Sequence, residues 1–395
     1  MSKRSRSLNI AQLHWGFPPI IGGVETHLTI ILPEMLKAGH KVYVLTGAAE
    51  GAKVVDKYRG VFIQRTPIMD LNWLSKRGLN GLAPEIEEVF VRFLNKVRPD
   101  VIHCHNMHYF SKPHARTIER LAKKNGIPLI LTAHNVWDDN LFLDLTKNIK
   151  WDHIIAVSHF IKKELIGVGC AHRRISVIHH GIDQYAYNPK LKYGDLFRRY
   201  PRLKGKKIIF HPARMGLAKG CDVTIKALRI IRERFPNIML VLAGTKHIID
   251  WALTQQKDIA YMVNLVELFD MRKNVHIDAF KLDDMPRLYA ASTVCVYPST
   301  ACEPFGLTML EALASGKPMV VTETGGMPEI IKDGINGFVI PIKDFEGLAS
   351  RTIQLLSDSD LRERFGYTGR QMVEQSFTKE IVARNTLAIY RNLIN

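Results

Sequence analysis

Two carboxylates eight residues apart, Glu303 and Glu311 in CEPFGLTMLEALASGKPMVV, are the side chains in this sequence best spaced to grip a ligand. They bracket a Pro-Phe-Gly turn and the start of a helix, because Leu307, Leu310 and Ala314 recur at helical spacing and put the first helical residue at Gly306 or Leu307. A helix start presents unpaired backbone N–H groups, so the amides of Phe305, Gly306 and Leu307 beside Glu303 favour an anionic or hydroxyl-rich ligand. Eight helical residues rise about 12 Å, so the two carboxyls cannot share one proton and must hold separate parts of an extended ligand. Two cations, Arg214 and Lys219 in HPARMGLAKGCD, stand five apart just before another helix. Converging on a pyrophosphate, they would neutralise a leaving diphosphate through preorganised electrostatics and without a metal. Gly22-Gly23 lies between a strand and a helix, where the backbone can approach a phosphate, although GGVETH lacks the G-x-G-x-x-G fingerprint of dinucleotide sites.

Histidines form the other chemical cluster. His134 ends the strand-like LILTAH, and HCHNMH supplies His103, Cys104, His105, Asn106 and His108. On a strand His103 and His105 face one way and Cys104 the other, so the run does not converge on a zinc ion, and no metal site is expected. His105, Asn106 and His108 are instead expected to line a pocket. Asp138-Asp139, Asp283-Asp284 and Asp358-Ser359-Asp360 offer the pattern of a metal-dependent transferase, but the last follows RTIQLLS and reads as a helix cap.

The elements that carry these residues alternate. LNIAQL, HKVYVLTG, PDVIHCH, IPLILTAH, HIIAVS and RISVIHHG are strand candidates separated by amphipathic helices. A second series runs through KKIIFHPAR, NIMLVLAGT, NVHIDAF, STVCVYPS, KPMVVTE and GFVIP. Such alternation gives parallel sheets covered by helices on both faces, and 395 residues are enough for two cores. The expected architecture is α/β: two doubly wound, Rossmann-like domains facing across a cleft. The boundaries are 1–187, a Pro/Gly-punctuated basic linker at 188–205, a second domain at 206–376, and a final helix at 377–395 crossing back to the first. In sheets of this kind ligands bind outside the carboxyl ends of the strands, which is where the singled-out residues fall.

The stretch from Cys302 through SGKPMVVTETGGMPEIIKDGINGFVI resembles the retaining glycosyltransferases of family 4 with their Glu-x7-Glu signature. FPPIIGGVETHLTIILPEMLKAGHKVYVLT resembles the same family's donor loop, helix and second strand. The resemblance spans Ile10 to about Val382 and implies the GT-B fold and a metal-independent hexosyltransferase that uses a nucleoside-diphosphate sugar, with UDP favoured, and no cofactor. It implies that Glu303 lies against the donor sugar, Glu311 holds the ribose hydroxyls, Arg214 and Lys219 meet the diphosphate, and His134 lies near the reacting sugar for positioning and charge stabilisation. Two departures stand out. His180 replaces the usual Asn of the Asn-Gly-Ile/Val-Asp segment, and Ala279 replaces a Gly in the strand that approaches the base. A nucleotide-sugar epimerase of the same fold, or a phosphorylase, are the rival enzymes.

Composition narrows the partners. The formal charge is +17, with 29 basic and 17 acidic residues in positions 1–200. A basic surface attracts acidic metabolites, anionic membrane or nucleic acid alike, but no nucleic-acid-binding module is present. The acceptor is therefore expected to bear hydroxyls and to be anionic or lipid-linked, contacted from 71–84 and 106–114. Candidate contributors are Lys3, Arg4, Arg6, Lys76, Arg77, Lys112, Arg116, Lys123 and Lys124, with EIEEVFVRFLNKVR as an amphipathic helix that could touch a membrane. Five scattered cysteines argue for a reducing, cytoplasmic setting, and no apolar run approaches membrane-spanning length.

Overall fold

Most strands of both sheets are short Val/Ile/Leu-rich runs buried on both faces. A computed structural model describes residues 6–136, 139–243 and 252–394. The first sheet uses β1 (Asn9–Leu13), β2 (Lys41–Gly47), β3 (Val55–Tyr58), β4 (Val61–Thr66), β5 (Val101–His105), β6 (Leu129–Ala133), β7 (His153–Ala156) and β8 (Ile175–Val177). Their spatial order is β3-β4-β2-β1-β5-β6-β7-β8, parallel except that β3 pairs antiparallel with β4. The second sheet uses β9 (Lys207–His211), β10 (Ile238–Ala243), β11 (Val275–Asp278), β12 (Val294–Tyr297), β13 (Met319–Thr322) and β14 (Gly337–Ile340), all parallel, in the order β11-β10-β9-β12-β13-β14. This is the doubly wound pair expected for GT-B. Strands β3 and β4 were not anticipated; they form a hairpin turned by Arg59 and Gly60, both at positive φ.

The chain divides into one unit of residues 1–181 plus 379–395 and another of 182–378. In the first, Val382, Ala383, Leu387 and Tyr390 of the final helix, Lys379–Ile394, join the core formed by Ile10, Leu28, Ile31, Val44 and Val101. In the second, residues 188–205, read from sequence as a linker, contain the helix Gly194–Arg199 followed by Tyr200. Arg199 pairs there with the buried Asp284, and the Tyr200 hydroxyl lies 3.3 Å from the same carboxylate.

Several local expectations resolve here. The helix Ala83–Val97 buries Ile86, Val89, Phe90, Phe93, Leu94 and Val97, so its apolar face belongs to the core and not to a membrane. Asp358 caps the helix Ser359–Ser376 by accepting from the Leu361 amide, and Asp139 caps Asn140–Asn148 in the same way. Asp138, Lys3 and Arg4 lie outside the described residues. No helix among the described residues is long and apolar enough to cross a membrane.

Candidate functional site

In each sheet the strand order reverses at one point, between β1 and β5 in the first and between β9 and β12 in the second. Crevices open at such points beyond the carboxyl ends of the strands. In the second unit, the loop after β9 carries Arg214 and Lys219, and the loop after β12 carries Glu303. Lys219 Nζ donates to Glu303 Oε2 and to the Tyr297 hydroxyl, both at 2.8 Å, and Tyr297 itself donates to Glu303. Close backbone approach makes this junction possible. A Cβ on Gly220 would lie 1.8 Å from the Pro298 carbonyl oxygen, and one on Gly325 would lie 2.1 Å from that of Glu303. Gly326 N–H also donates to the Glu303 carbonyl, so the Gly-Gly turn pins the loop that presents the carboxylate. Burial first, then the Glu303 charge, holds the Tyr297 phenol well above its usual range, so it stays a proton donor.

Glu311 lies on the helix Leu307–Ala314, which opens directly after the Pro-Phe-Gly turn that follows Glu303. Its two oxygens accept from Tyr289 at 2.6 Å and Tyr187 at 3.2 Å. Burial raises the Glu311 carboxyl above the ordinary carboxylate range, and the two phenols partly offset that shift. Arg214 is exposed, while Phe305 is buried beneath the loop. Ala279 follows β11 directly and sits beside Phe280, which packs on Tyr200.

The first unit holds a chain of imidazoles at its own switch point. His105 Nε2 lies 2.7 Å from Gln12 Oε1, His105 Nδ1 2.9 Å from His134 Nε2, and His134 Nδ1 2.9 Å from His180 Nε2. Gln12 Nε2 donates to Tyr390, whose hydroxyl also bonds His103 Nδ1. With Gln12 accepting from His105, every ring in the chain is a neutral Nε2–H tautomer that donates to the next. Burial and the neighbouring imidazoles hold His134, His105 and His180 well below the usual histidine range, and His27 and His103 fall to about 3. His134 is thus held from both sides, by His105 and by His180, as a neutral ring. His180, which replaces the expected Asn, still supplies a polar partner.

Two expectations in this unit meet a different arrangement. His105, Asn106 and His108 do not line an open pocket. His105 is inside the chain, Asn106 Oδ1 accepts from the His134 amide at 2.8 Å, and His108 Nε2 bonds the Asn135 carbonyl at 3.0 Å. All three are almost fully buried and serve to seat the 134–135 turn. Both ring nitrogens of His103 are also spent, on Tyr390 and Thr132, so His103 has no nitrogen left for a metal. At Gly22-Gly23 the helix Gly23–Lys37 begins, but Glu25 folds back over this turn. A Cβ on Gly22 would lie 2.4 Å from Glu25 Oε2, and Glu25 Oε1 pairs with His14 Nε2 at 3.0 Å. A phosphate at this turn would meet that carboxylate.

The buried imidazoles set a stability prediction. Unfolded histidines take up protons near pH 6.5, whereas these folded ones resist protonation, so the unfolded state binds more protons as pH falls. Stability should fall by about 1.4 kcal/mol per pH unit for each imidazole that charges only on unfolding. Urea midpoints measured from about pH 7.5 down to about pH 5.5 should drop steeply. A flat profile would contradict the neutral chain.

Comparison with known proteins adds to this geometry. The family described as Glycosyltransferase Family 4 matches residues 21–184, and Glycosyl transferases group 1 matches residues 194–372. An uncharacterized glycosyltransferase of Methanocaldococcus jannaschii is 28% identical, covering 97% of this chain and 98% of that protein. The N-acetyl-alpha-D-glucosaminyl L-malate synthase of Bacillus anthracis is 24% identical over 95% of each chain. Among solved structures, Anabaena HepE in complex with UDP and glucose shares the fold with a TM-score of 0.77 at 20% identity, covering 97% of this chain and 99% of that one.

Proposed function

Since the chain is a glycosyltransferase of the GT-B fold, we propose that it transfers a hexose from UDP, with retention of configuration and without a metal, to a hydroxyl-bearing acceptor. The observation that carries this reading is the Lys219–Tyr297–Glu303 junction across the β9/β12 switch point, with Glu311 on the helix that follows. Glu303 and the amides of Phe305, Gly306 and Leu307 hold hexose hydroxyls, Glu311 holds the ribose, and Ala279 borders the base. Lys219, bonded to the sugar-holding carboxylate, belongs where diphosphate and sugar join. Arg214, exposed on the same loop, adds the second charge for the departing UDP. These cations do the work of a divalent ion, stabilising charge that develops as the glycosidic bond breaks. His134 positions the reacting sugar as a neutral ring. The UDP assignment finds support in the HepE complex with UDP and glucose. Thermal shift with UDP-, GDP- and ADP-sugars tests it; stabilisation by a GDP- or ADP-sugar alone would overturn the base assignment.

The acceptor is read as anionic, free or presented at an anionic surface, in keeping with the malate named for the Bacillus anthracis relative. Some of the basic residues are already spent: Arg6 pairs with Asp100, Lys112 with Asp144, and Arg116 with Asp144 and Glu119. Lys76, Arg77, Lys123 and Lys124 are exposed in the last turns of the helices Leu71–Arg77 and Lys112–Asn125, where helix dipoles favour cations. Capture through them should weaken as the screening length falls from about 10 Å at 0.1 M salt to about 3 Å at 1 M. Acceptor KM should therefore rise with salt more than donor affinity falls. A flat KM, with no sedimentation on anionic liposomes, would indicate a neutral soluble acceptor.

A further inference from the structure

Glu311 keeps unusual company for a carboxylate. Among the described residues no basic side chain is bonded to it; two phenols serve it instead, one on each oxygen. Tyr289 comes from the helix Met285–Ala291 and packs edge-on against Phe210 at 4.9 Å between centroids, so its ring is fixed by the core. Tyr187 comes from the segment after the first unit and meets Tyr289 edge-on at 5.7 Å. Arg370 ties that segment in place by donating to the carbonyls of Gln184, Tyr187 and Ala314, the last being the final residue of Glu311's own helix. The hydroxyls are thus held by the packing of Tyr289 on Phe210, by the contact between the two phenol rings and by the bonds of Arg370.

A carboxylate offers about four acceptor positions, two per oxygen. With one position on each oxygen filled by a phenol, one remains on each, so the carboxylate can accept from two further hydroxyls. We propose that Tyr187 and Tyr289 are positioning residues that fix Glu311 as a two-point acceptor for the vicinal hydroxyls of a ribose. The proposal rests on the assignment of Glu311 to the nucleotide.

The phenols also favour the ionised carboxylate, because they donate to it. Besides Tyr187 and Tyr289, the titratable group facing Glu311 is the Cys295 thiol of β12, which burial pushes up to about 12, while Asp183 acts on Tyr187. Burial and the Glu311 charge hold both phenols well above their usual range, so they stay proton donors to Glu311, whose carboxyl is raised by burial and lowered by the two phenols. Removing a phenol moves its titration upward, and binding that needs the carboxylate is then lost at higher pH.

The test is calorimetric titration of the full chain with UDP and with 2′-deoxy-UDP, for wild type, Tyr289→Phe, Tyr187→Phe and Glu311→Gln, from about pH 5.5 to about pH 8.5. Phenylalanine keeps each ring and its packing, and the phosphate of UDP titrates alike in every variant. Wild type should prefer UDP over the deoxy form by about ten-fold, the scale of one charged hydrogen bond. Tyr289→Phe should weaken UDP several-fold at the acid end and recover toward wild type at the alkaline end, with a narrower preference for the 2′-hydroxyl. Tyr187→Phe should shift the same way by less, since its bond is longer. If Glu311→Gln weakens UDP but neither tyrosine variant alters the pH midpoint or the hydroxyl preference, the positioning role is wrong and the nucleotide assignment stands. If Glu311→Gln leaves UDP affinity unchanged, the nucleotide assignment itself fails and takes this inference with it.

Discussion

Replacing Arg214 with alanine should lower turnover on the order of 10²-fold or more, while EDTA leaves the wild-type rate unchanged. The asymmetry follows from when charge appears. In the bound UDP-sugar the oxygen linked to the sugar is an uncharged ester oxygen; it takes the electron pair of the breaking C–O bond, so the additional diphosphate charge develops only in the transition state and a cation aimed at it contributes most there. The loss should therefore fall on kcat with little change in donor KM. Lys219 is already joined to Glu303 and Tyr297, which leaves exposed Arg214 as the cation of the β9 loop with the freedom to meet the departing group. Rate assays with EDTA and with added magnesium or manganese check this. Activity that depends wholly on a divalent ion would show that the two cations do not play its part.

Glu303→Gln should nearly abolish transfer with UDP affinity close to wild type, and Glu311→Gln should weaken UDP binding by about 1–3 kcal/mol. The two glutamates differ in surroundings. Glu303 is bonded to a lysine and a phenol, where the proposed reading puts the diphosphate, and Glu311, on the helix that follows, is bonded to two phenols. An amide in place of the Glu303 carboxylate would break the Lys219 pair and turn a donor toward sugar hydroxyls, disrupting the reacting end alone. Calorimetry with UDP and rate measurements on both variants separate the roles. Equal loss of UDP affinity in the two would erase the division.

Much of this architecture could be read from residue order. Twelve strands were evident because most are short apolar runs buried on both faces, as in KIIFH or MVVT. The β3–β4 hairpin escaped because its first strand, VDKY, is mostly exposed and charged; the signal available was Arg59-Gly60 flanked by alternating side chains. Position along a strand also located His105, Asn106 and His108 at the correct end of β5, but not the direction they face. Their inward bonds depend on partners 27 to 93 residues away. The tyrosines show the same limit. Tyr289 precedes Glu311 by 22 residues and Tyr187 by 124, and Gln12 meets Tyr390 across 378 residues. No periodicity or motif encodes such pairings; they arise when separate elements pack. The carboxylates, with their local turn and helix, were legible because a contiguous segment builds them, whereas the phenols that hold them became visible only in the fold.

The most direct test of a UDP-hexose transferase that retains configuration needs no acceptor. The full chain, at high concentration and in EDTA, is incubated with UDP-α-glucose, and the anomeric proton of the sugar released to water is followed by NMR before it mutarotates. The account predicts that α-glucose and UDP appear first, with release lost in Glu303→Gln. First appearance of β-glucose would contradict it.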